Sequence, residues 1–389
     1  MSTGIAYLDN AASSLTPEPV LERMLSFYRE YRANVERGVH RLSQRATAEF
    51  ERARAEVKDF IGASSDKEII FIKNATEAIN LVASGLKWKR GERIVTTIIE
   101  HHSNLVPWQR AAEAHGLELE VVRPEPSGRF SLDVFERAIT DETRMVAITH
   151  VSNVLGCVLP VKEICRIAHE HGSMVLVDGA QSVPHFPVDV KDLECDFLAF
   201  SGHKMLGPTG VGVLYGREEM LQELQPLSAG GGSIAEVGVH TYRLLPAPEG
   251  FEAGTPPIAE AIGLAEAVRY LRKCGLENIA SHEQKLIERL HTGLADIEKV
   301  EIYGPENPAE RSGILAFNVG ELSPHEVASI LDNSGRVMVR SGHHCAMPLH
   351  NELLGRPQGS VRASVYLYNT AEEIERLLAV VEEIARSMA

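Results

Sequence analysis

The feature that most constrains the fold is a regular alternation, between residues 64 and 215, of short apolar runs with stretches of helical periodicity. This rhythm is typical of a mainly parallel sheet whose two faces are covered by helices. The runs predicted as strands are Glu68–Ile72, Arg93–Ile98, Glu118–Val122, Met145–Thr149, Met174–Val177, Phe197–Phe200 and Val211–Tyr215. The helices predicted between these strands are Glu77–Leu86, Leu105–His115 and Val161–His171, and two more, Pro17–Tyr31 and Ala46–Ile61, precede the first strand. We therefore expect an α/β domain built on a seven-stranded, mainly parallel sheet.

Beyond Gly254 the pattern changes to long helices followed by isolated strands, which indicates a second, smaller α+β domain. Its predicted helices and strands are Ile258–Lys273, Asn278–Glu298, Ile314–Val319, Pro324–Leu331, Val337–Arg340, Val361–Val365 and Ala371–Arg386. A loop rich in Gly and Pro, residues 225–257, lies between the two patterns. We predict a large domain over residues 16–260 and a small domain over residues 261–389, with residues 1–15 packed against the small domain.

Composition narrows the class of protein. The chain has 389 residues, and 39 basic against 54 acidic side chains give a net charge of −15, which disfavours nucleic acid as a partner. Its five cysteines are scattered and form no CxxC pair, which favours a reducing compartment. No signal peptide and no apolar run long enough for a membrane span is visible, so we expect a cytoplasmic protein without a membrane partner.

The strongest chemical signal is a lysine and an aspartate that follow two successive predicted strands. Lys204 comes just after Phe197–Phe200, and Asp178 ends the strand before it. Parallel strands end at one sheet edge, where a desolvated lysine becomes a nucleophilic amine and a buried carboxylate needs a cation. The protonated ring nitrogen of pyridoxal phosphate is such a cation. Each residue alone has an ordinary interpretation, a solvated lysine or a helix cap, but the pair favours a cofactor site.

Three further segments carry polar residues that suit the same site. Lys73 to Ala78 follows a strand and opens a helix, so it is either a simple cap or an anion site. Glu100 to Asn104 offers an imidazole that could stack on a cofactor and exchange protons. Arg340 to Pro348 places Cys345 among small residues, as a nucleophilic thiol in a loop would require. The paired histidines of the last two segments lack zinc-finger spacing, so we expect no metal.

Taken together, these segments resemble the cysteine desulfurases of aminotransferase class V, and most closely the type II branch of the SUF system. The resemblance runs through nearly the whole chain. The matching segments, in order, are residues 7–12, Arg37 to His40, 74–77, 100–104, 150–156, 178–181, 201–204, 251–256 and 340–348. Only 17 positions separate Cys345 from Arg362, which is similar to the short catalytic loop of the type II members.

The resemblance implies a fold type I transferase, with pyridoxal 5'-phosphate as cofactor and a role for each matching residue. Lys204 would hold the cofactor covalently, Asp178 would pair with its ring nitrogen, Gln181 would contact its phenolic oxygen, and His101 would stack on the ring and exchange protons. The phosphate ligands would be Ala75, through its backbone N–H, with Thr76, Ser201, His203 and, from a partner subunit, Thr255. Asn153, Arg340, Arg362 and Ala12 would contact the substrate, and Cys345 would accept its sulfur.

The implied activity is conversion of L-cysteine to L-alanine with formation of a persulfide on Cys345, supplying sulfur for iron-sulfur cluster assembly. The implied partners are a second copy of the chain and a sulfur-acceptor protein of the SUF type. Two alternatives stay open: a selenocysteine lyase or another class V enzyme, and a scaffold that binds a phosphate ligand without catalysis. The loop with Cys345 disfavours an aminotransferase, and the presence of both Lys204 and Asp178 disfavours a scaffold.

Overall fold

The computed structural model describes residues 4–36, 38–125 and 129–387. Arg37 of the matching segments lies outside the described residues. The strands, in chain order, are β1 (Ala6–Tyr7), β2 (Ile69–Ile72), β3 (Arg93–Thr97), β4 (Glu118–Val122), β5 (Thr143–Thr149), β6 (Met174–Asp178), β7 (Phe197–Ser201), β8 (Gly212–Gly216), β9 (Ile234–Val237), β10 (Tyr242–Leu244), β11 (Val300–Tyr303), β12 (Ile314–Val319), β13 (Val337–Met338), β14 (Arg340–Gly342) and β15 (Ser360–Ser364).

Nine of the twelve α-helices in the described residues overlap a predicted helix, and three short ones, at residues 132–138, 190–193 and 218–221, were not predicted. The twelve helices are α1 (Glu18–Ser26), α2 (Arg41–Phe60), α3 (Ala75–Gly85), α4 (Val106–His115), α5 (Leu132–Ala138), α6 (Val161–Glu170), α7 (Val190–Leu193), α8 (Glu218–Leu221), α9 (Ile258–Cys274), α10 (Leu276–Ala295), α11 (Pro324–Gly335) and α12 (Ala371–Ser387). None of those within the described ranges is long and apolar enough to cross a lipid bilayer.

The large domain is built on a seven-stranded sheet with the order β2-β8-β7-β6-β5-β3-β4. Every pairing is parallel except those of β8, which runs antiparallel to both β2 and β7. The central strands β6, β7 and β8 are buried at every position, because one core cluster covers each face of the sheet. This sheet confirms the predicted mainly parallel α/β architecture.

The register of the central strands brings polar residues to one edge. Thr149 at the end of β5 pairs with Asp178 at the end of β6, and Ser201 ends β7 beside them. The carboxyl ends of β5, β6 and β7 therefore form a single ledge. Such a ledge is where open α/β sheets place their ligands.

The small domain has an antiparallel sheet in the order β11-β12-β15-β14. Helices α10, α11 and α12 pack together and share a core with this sheet that includes Leu286, Phe317 and Leu377. Ala6 and Leu8 of the N-terminal segment lie in the same core, and β1 pairs in parallel with β13.

The predicted boundary between residues 260 and 261 falls inside α9. This helix packs against α1 and α2, and Ile262, Leu264 and Val268 belong to the core of the large domain. Gly275 lies between α9 and α10 and has a φ of 81°. It is the first residue after α9 at which the helical backbone is interrupted. We therefore propose Gly275, rather than residue 260, as the end of the large domain.

Candidate active site

A cavity of about 480 Å³ lies on the ledge, between the two domains. It brings together all but one of the residues that the sequence predicted for the site. Those lining it are Ala12, Ala75, Thr76, His101, Asn153, Asp178, Gln181, Ser201, His203, Lys204, Arg340, Cys345 and Arg362. Thr255 does not line this cavity and is exposed on the loop before α9.

Lys204 and Asp178 form the charged centre of the cavity. Asp178 ends β6 and is 5% exposed, with Ala180 N–H donating to its Oδ1 at 3.0 Å. Lys204 ends the short turn that follows β7. Burial lowers the pKa of Lys204, although Asp178 opposes the shift, and burial raises the pKa of Asp178, with Lys204 opposing it. Lowering of its pKa favours the neutral, nucleophilic form of the Lys204 amine.

The start of α3 forms a neutral cradle for an anion. Asn74 caps this helix by accepting from Glu77 N–H at 3.0 Å, and Ala75 N–H donates to Ser201 Oγ at 2.9 Å. The hydroxyl of Thr76 lies 2.7 Å from that of Ser103. Hydroxyls and backbone N–H groups at the start of a helix suit a phosphate.

A glycine on β8 lets the sheet approach this cradle. A Cβ on Gly212 would lie 2.6 Å from the Asn74 Cα, which is too close for any side chain. His203 lies nearby in the cavity lining, and burial lowers its pKa to about 4, so its ring is neutral at pH 7.

His101 is held rigidly beside this cradle. Its Nδ1 accepts from Ser103 N–H at 3.0 Å, and burial, with Lys204 nearby, lowers its pKa to about 3. A neutral imidazole in this place can stack on an aromatic ring, and it does not repel the nearby amine of Lys204 when that amine carries a proton.

Glu100, which the sequence analysis quoted but did not assign, supports the turn that carries His101. Its carboxyl group accepts from Thr97 Oγ1 at 2.6 Å, from Asn104 Nδ2 at 2.7 Å and from Thr149 N–H at 3.0 Å. Its burial raises the pKa to about 8. The signal that could have found it is a carboxylate directly after an apolar strand, the same signal that found Asp178.

Asp9 is a second residue that the sequence analysis quoted without assigning a role. It accepts from Arg362 Nη2 at 3.0 Å and from Arg340 Nη1 at 3.3 Å, so it holds both arginines at the cavity. Arg362 is 2% exposed and also donates to Asn153 O at 3.0 Å. Asp9 lies more than 330 positions from both arginines, so no local pattern predicts the contact.

Several buried polar atoms of the cavity have no partner within the described chain. They are Gln181 Oε1, Arg362 Nε and His344 Nδ1. Because an unpaired buried polar group is costly, these atoms indicate a polar ligand. A buried lysine amine whose pKa is lowered, a buried carboxylate, a phosphate cradle and a flat imidazole are the groups that pyridoxal phosphate requires, so the residues present fit this cofactor. Within the described ranges, no cluster of three or more His, Cys, Asp or Glu side chains could hold a metal ion.

Comparison with known proteins supports the family that the sequence motifs resemble. The family model of aminotransferase class V matches residues 6–377. A probable cysteine desulfurase of Pyrococcus abyssi is 49% identical over 99% of this chain and 95% of its own length. A cysteine desulfurase of Haloferax volcanii is 45% identical over 98% of this chain and 89% of its own length.

Two solved structures show the same fold over the full length. The cysteine desulfurase of Thermococcus onnurineus NA1 superposes with a TM-score of 0.95 at 50% identity, covering 98% of this chain and 95% of its own. The cysteine desulfurase CsdA of Escherichia coli gives a TM-score of 0.92 at 34% identity, covering 100% and 96%.

The chain therefore belongs to the aminotransferase class V family, and within that family to the cysteine desulfurases. Members of this family are enzymes of fold type I that use pyridoxal phosphate, which confirms the predicted fold class, enzyme class and cofactor. The roles predicted for the individual site residues stay predictions.

Proposed function

We propose that the protein converts L-cysteine to L-alanine and that Cys345 takes up the sulfur as a persulfide. The observation that carries this proposal is the shared cavity, which joins Lys204, Asp178, Arg362 and an exposed cysteine. The other four cysteines are less accessible: Cys157, Cys165 and Cys195 are buried, and Cys274 is only partly exposed. Of the five cysteines, all of which lie in the described ranges, only Cys345 lines the cavity.

The proposed roles follow from the position of each group. Lys204 would hold pyridoxal phosphate, Asp178 would meet its ring nitrogen, Gln181 its phenolic oxygen, and the cradle around Ala75 its phosphate. When bound, this cofactor supplies an electron sink for bonds broken at the substrate. Arg362 can clamp the substrate carboxylate through its fork of N–H donors, which Asp9 and Asn153 hold in place.

The chain's own residues can then move the proton and the sulfur. The Nζ of Lys204, whose pKa burial lowers, takes the proton from the substrate Cα. The thiolate of Cys345 attacks the substrate sulfur, so that an S–S bond forms while the bond from the substrate Cβ to sulfur breaks. The electron pair of the broken bond stays with the carbon skeleton, which takes up a proton at Cβ. The proton held by Lys204 Nζ returns to Cα, and the product leaves as alanine.

We also propose the setting in which this chemistry takes place. The protein would be a cytoplasmic homodimer of the type II branch, with Thr255 of each chain completing the phosphate site of the other. An acceptor protein of the SUF type would collect the sulfur for iron-sulfur cluster assembly. The net charge of −15 favours an acceptor with a basic surface.

The test is alanine and sulfide release from L-cysteine by the purified protein, with and without a candidate acceptor, at low and high salt. We expect slow release that a reductant or an acceptor accelerates, with less acceleration at high salt. Selenocysteine as a competing substrate tests the lyase alternative. Lys204→Ala is the control: it should lose turnover and the visible absorbance that borohydride removes. A variant that kept both would contradict the role of Lys204.

A further inference from the structure

The loop that carries Cys345 has an unfavourable backbone conformation. His344 and Cys345 have φ values of 51° and 57°, so two consecutive residues with side chains lie in the left-handed region. Such residues persist only where the surrounding structure holds them, and they cluster at functional sites. The loop therefore depends on contacts outside itself.

Three of those contacts come from the large domain, beside those of His343 and His344 with Pro357 and Ser360 of the small domain. His102 N–H donates to Cys345 O at 2.6 Å, and Met347 N–H donates to His102 Nε2 at 3.0 Å. Asn153 Nδ2 donates to His344 O at 2.7 Å. His102 thus holds the loop at two points, at the carbonyl of Cys345 with its backbone N–H and at Met347 N–H, two residues later, with its ring.

The ring of His102 suits the role of acceptor. Burial, together with the nearby His343, lowers the pKa of His102 and so favours the neutral ring. Because Met347 N–H points at Nε2, this contact requires the tautomer that carries its proton on Nδ1. The ring lines the cavity at its rim, and its neighbour His101 lies within the cofactor site. One turn of the large domain therefore fixes both the cofactor-facing imidazole and the loop with the thiol.

We propose that His102 is a positioning residue that holds the Cys345 thiol in reach of the substrate sulfur. This inference rests on the proposed function, because it takes Cys345 as the sulfur acceptor. His102 would not itself touch the cofactor or the reacting atoms. Its loss should leave cofactor binding and substrate binding in place and slow the transfer of sulfur to Cys345.

The test compares His102→Leu, which has no acceptor, with His102→Gln, whose amide oxygen can accept from Met347 N–H. His171→Leu is the matched control, since His171 is a half-exposed imidazole that bonds to Asp141 at 2.7 Å and lies outside the cavity lining. The readouts are hydrogen exchange of the peptide spanning residues 343–349, in apoprotein and holoenzyme, and single-turnover alanine formation by the holoenzyme. Cofactor content is measured for each variant.

We expect His102→Leu to exchange faster in this peptide and to form alanine about tenfold more slowly, the effect of one lost hydrogen bond. His102→Gln should restore both readouts, and His171→Leu should change neither. Unchanged exchange in His102→Leu would overturn the proposal, and so would loss of cofactor or a failure of Gln to rescue. If the wild type formed no alanine, the proposed function would fail, while the exchange data would still decide whether His102 holds the loop.

Discussion

At the scale of single residues, one substitution tests the proposed role of Cys345 as the sulfur acceptor. The Cys345→Ala variant should keep the coloured cofactor and still bind cysteine, because Lys204, Asp178 and Arg362 are untouched. It should lose sulfur transfer and the alanine formed with it, since no other cysteine lines the cavity. Absorbance spectra with and without cysteine measure the binding of cofactor and substrate, and an alanine assay measures the turnover separately. Normal turnover in this variant would show that the thiol is structural.

Glu100 makes a prediction about pH. Its folded pKa is about 8, against an ordinary value of 4.5, so between these values the folded protein binds more protons than the unfolded chain. The stability that Glu100 contributes is present in full below about pH 4.5 and is lost as pH rises through 8. Glu100→Gln, which cannot titrate, should remove this dependence.

The measurement is the melting temperature of wild type and variant between pH 5 and pH 8. The wild-type value minus the Glu100→Gln value should fall as pH rises, by an amount equivalent to a few kcal/mol. Glu118→Gln, on the exposed edge strand β4, is the control and should show no such trend. A constant difference across the range would mean that Glu100 is ionised throughout.

Asp178 and Lys204 carry a local signal in the sequence that Asp9 and His102 lack. Asp178 and Lys204 directly follow apolar strands, and a strand end is visible in the sequence. The role of Asp9 depends instead on a contact with Arg362, and that of His102 on contacts with the Cys345 loop. Both contacts join residues hundreds of positions apart. Such contacts are set by how the two domains meet, which no local pattern of residues shows.

At the scale of elements, all seven strands of the large sheet were predicted to within two residues at each end. Their order was not, because an apolar run shows that a strand is buried but not which strand lies beside it. Helix α2 begins five residues earlier than predicted, since His40 caps it by accepting from Ser43 N–H. The hairpin β9–β10 was missed because its residues are exposed or only partly buried and carry no apolar alternation toward a core.

One buried ion pair joins several of these elements. Arg54 on α2 donates to Glu252 Oε1 at 2.7 Å and Oε2 at 3.0 Å, and both side chains are under 5% exposed. Arg54 also donates to Ile69 O on β2, and Glu252 Oε1 accepts from Phe71 N–H. The pair therefore ties α2 and β2 to the segment that leads to Thr255.

Removing one partner should be costly, because it leaves the other charge buried. We expect Glu252→Leu to destabilise the protein by about 3–5 kcal/mol, measured as a shift in the denaturation midpoint. Arg54→Met combined with Glu252→Leu should recover part of the loss. Glu51→Gln, which removes a half-exposed carboxylate 3.5 Å from Arg54 Nε, should cost less than about 1 kcal/mol. Equal effects of Glu252→Leu and Glu51→Gln would contradict this account.

At the scale of the whole molecule, part of the surface suits a second copy of the chain. The hairpin β9–β10 and its turn expose Val237, Val239 and Tyr242 at 77%, 94% and 67%. A group of exposed apolar side chains is typical of an interface. Thr255 lies on the chain that follows this hairpin and is exposed, outside the cavity of its own subunit. These features support the proposed dimer, in which each Thr255 serves the other chain's phosphate site.

Mixed dimers test this arrangement. A dimer of one Lys204→Ala chain and one Thr255→Ala chain has a single site with Lys204. If Thr255 acts across the interface, that site receives an intact Thr255 from the Lys204→Ala chain, so it should bind cofactor as tightly as wild type and give about half the activity. The control pairs a wild-type chain with the double variant Lys204→Ala, Thr255→Ala. Its single site with Lys204 belongs to the wild-type chain and faces Thr255→Ala across the interface, so it should bind cofactor weakly. If Thr255 acts within its own chain, the first mixed dimer should bind cofactor weakly and the control dimer tightly. A fully active monomer in light scattering would contradict the proposed dimer itself.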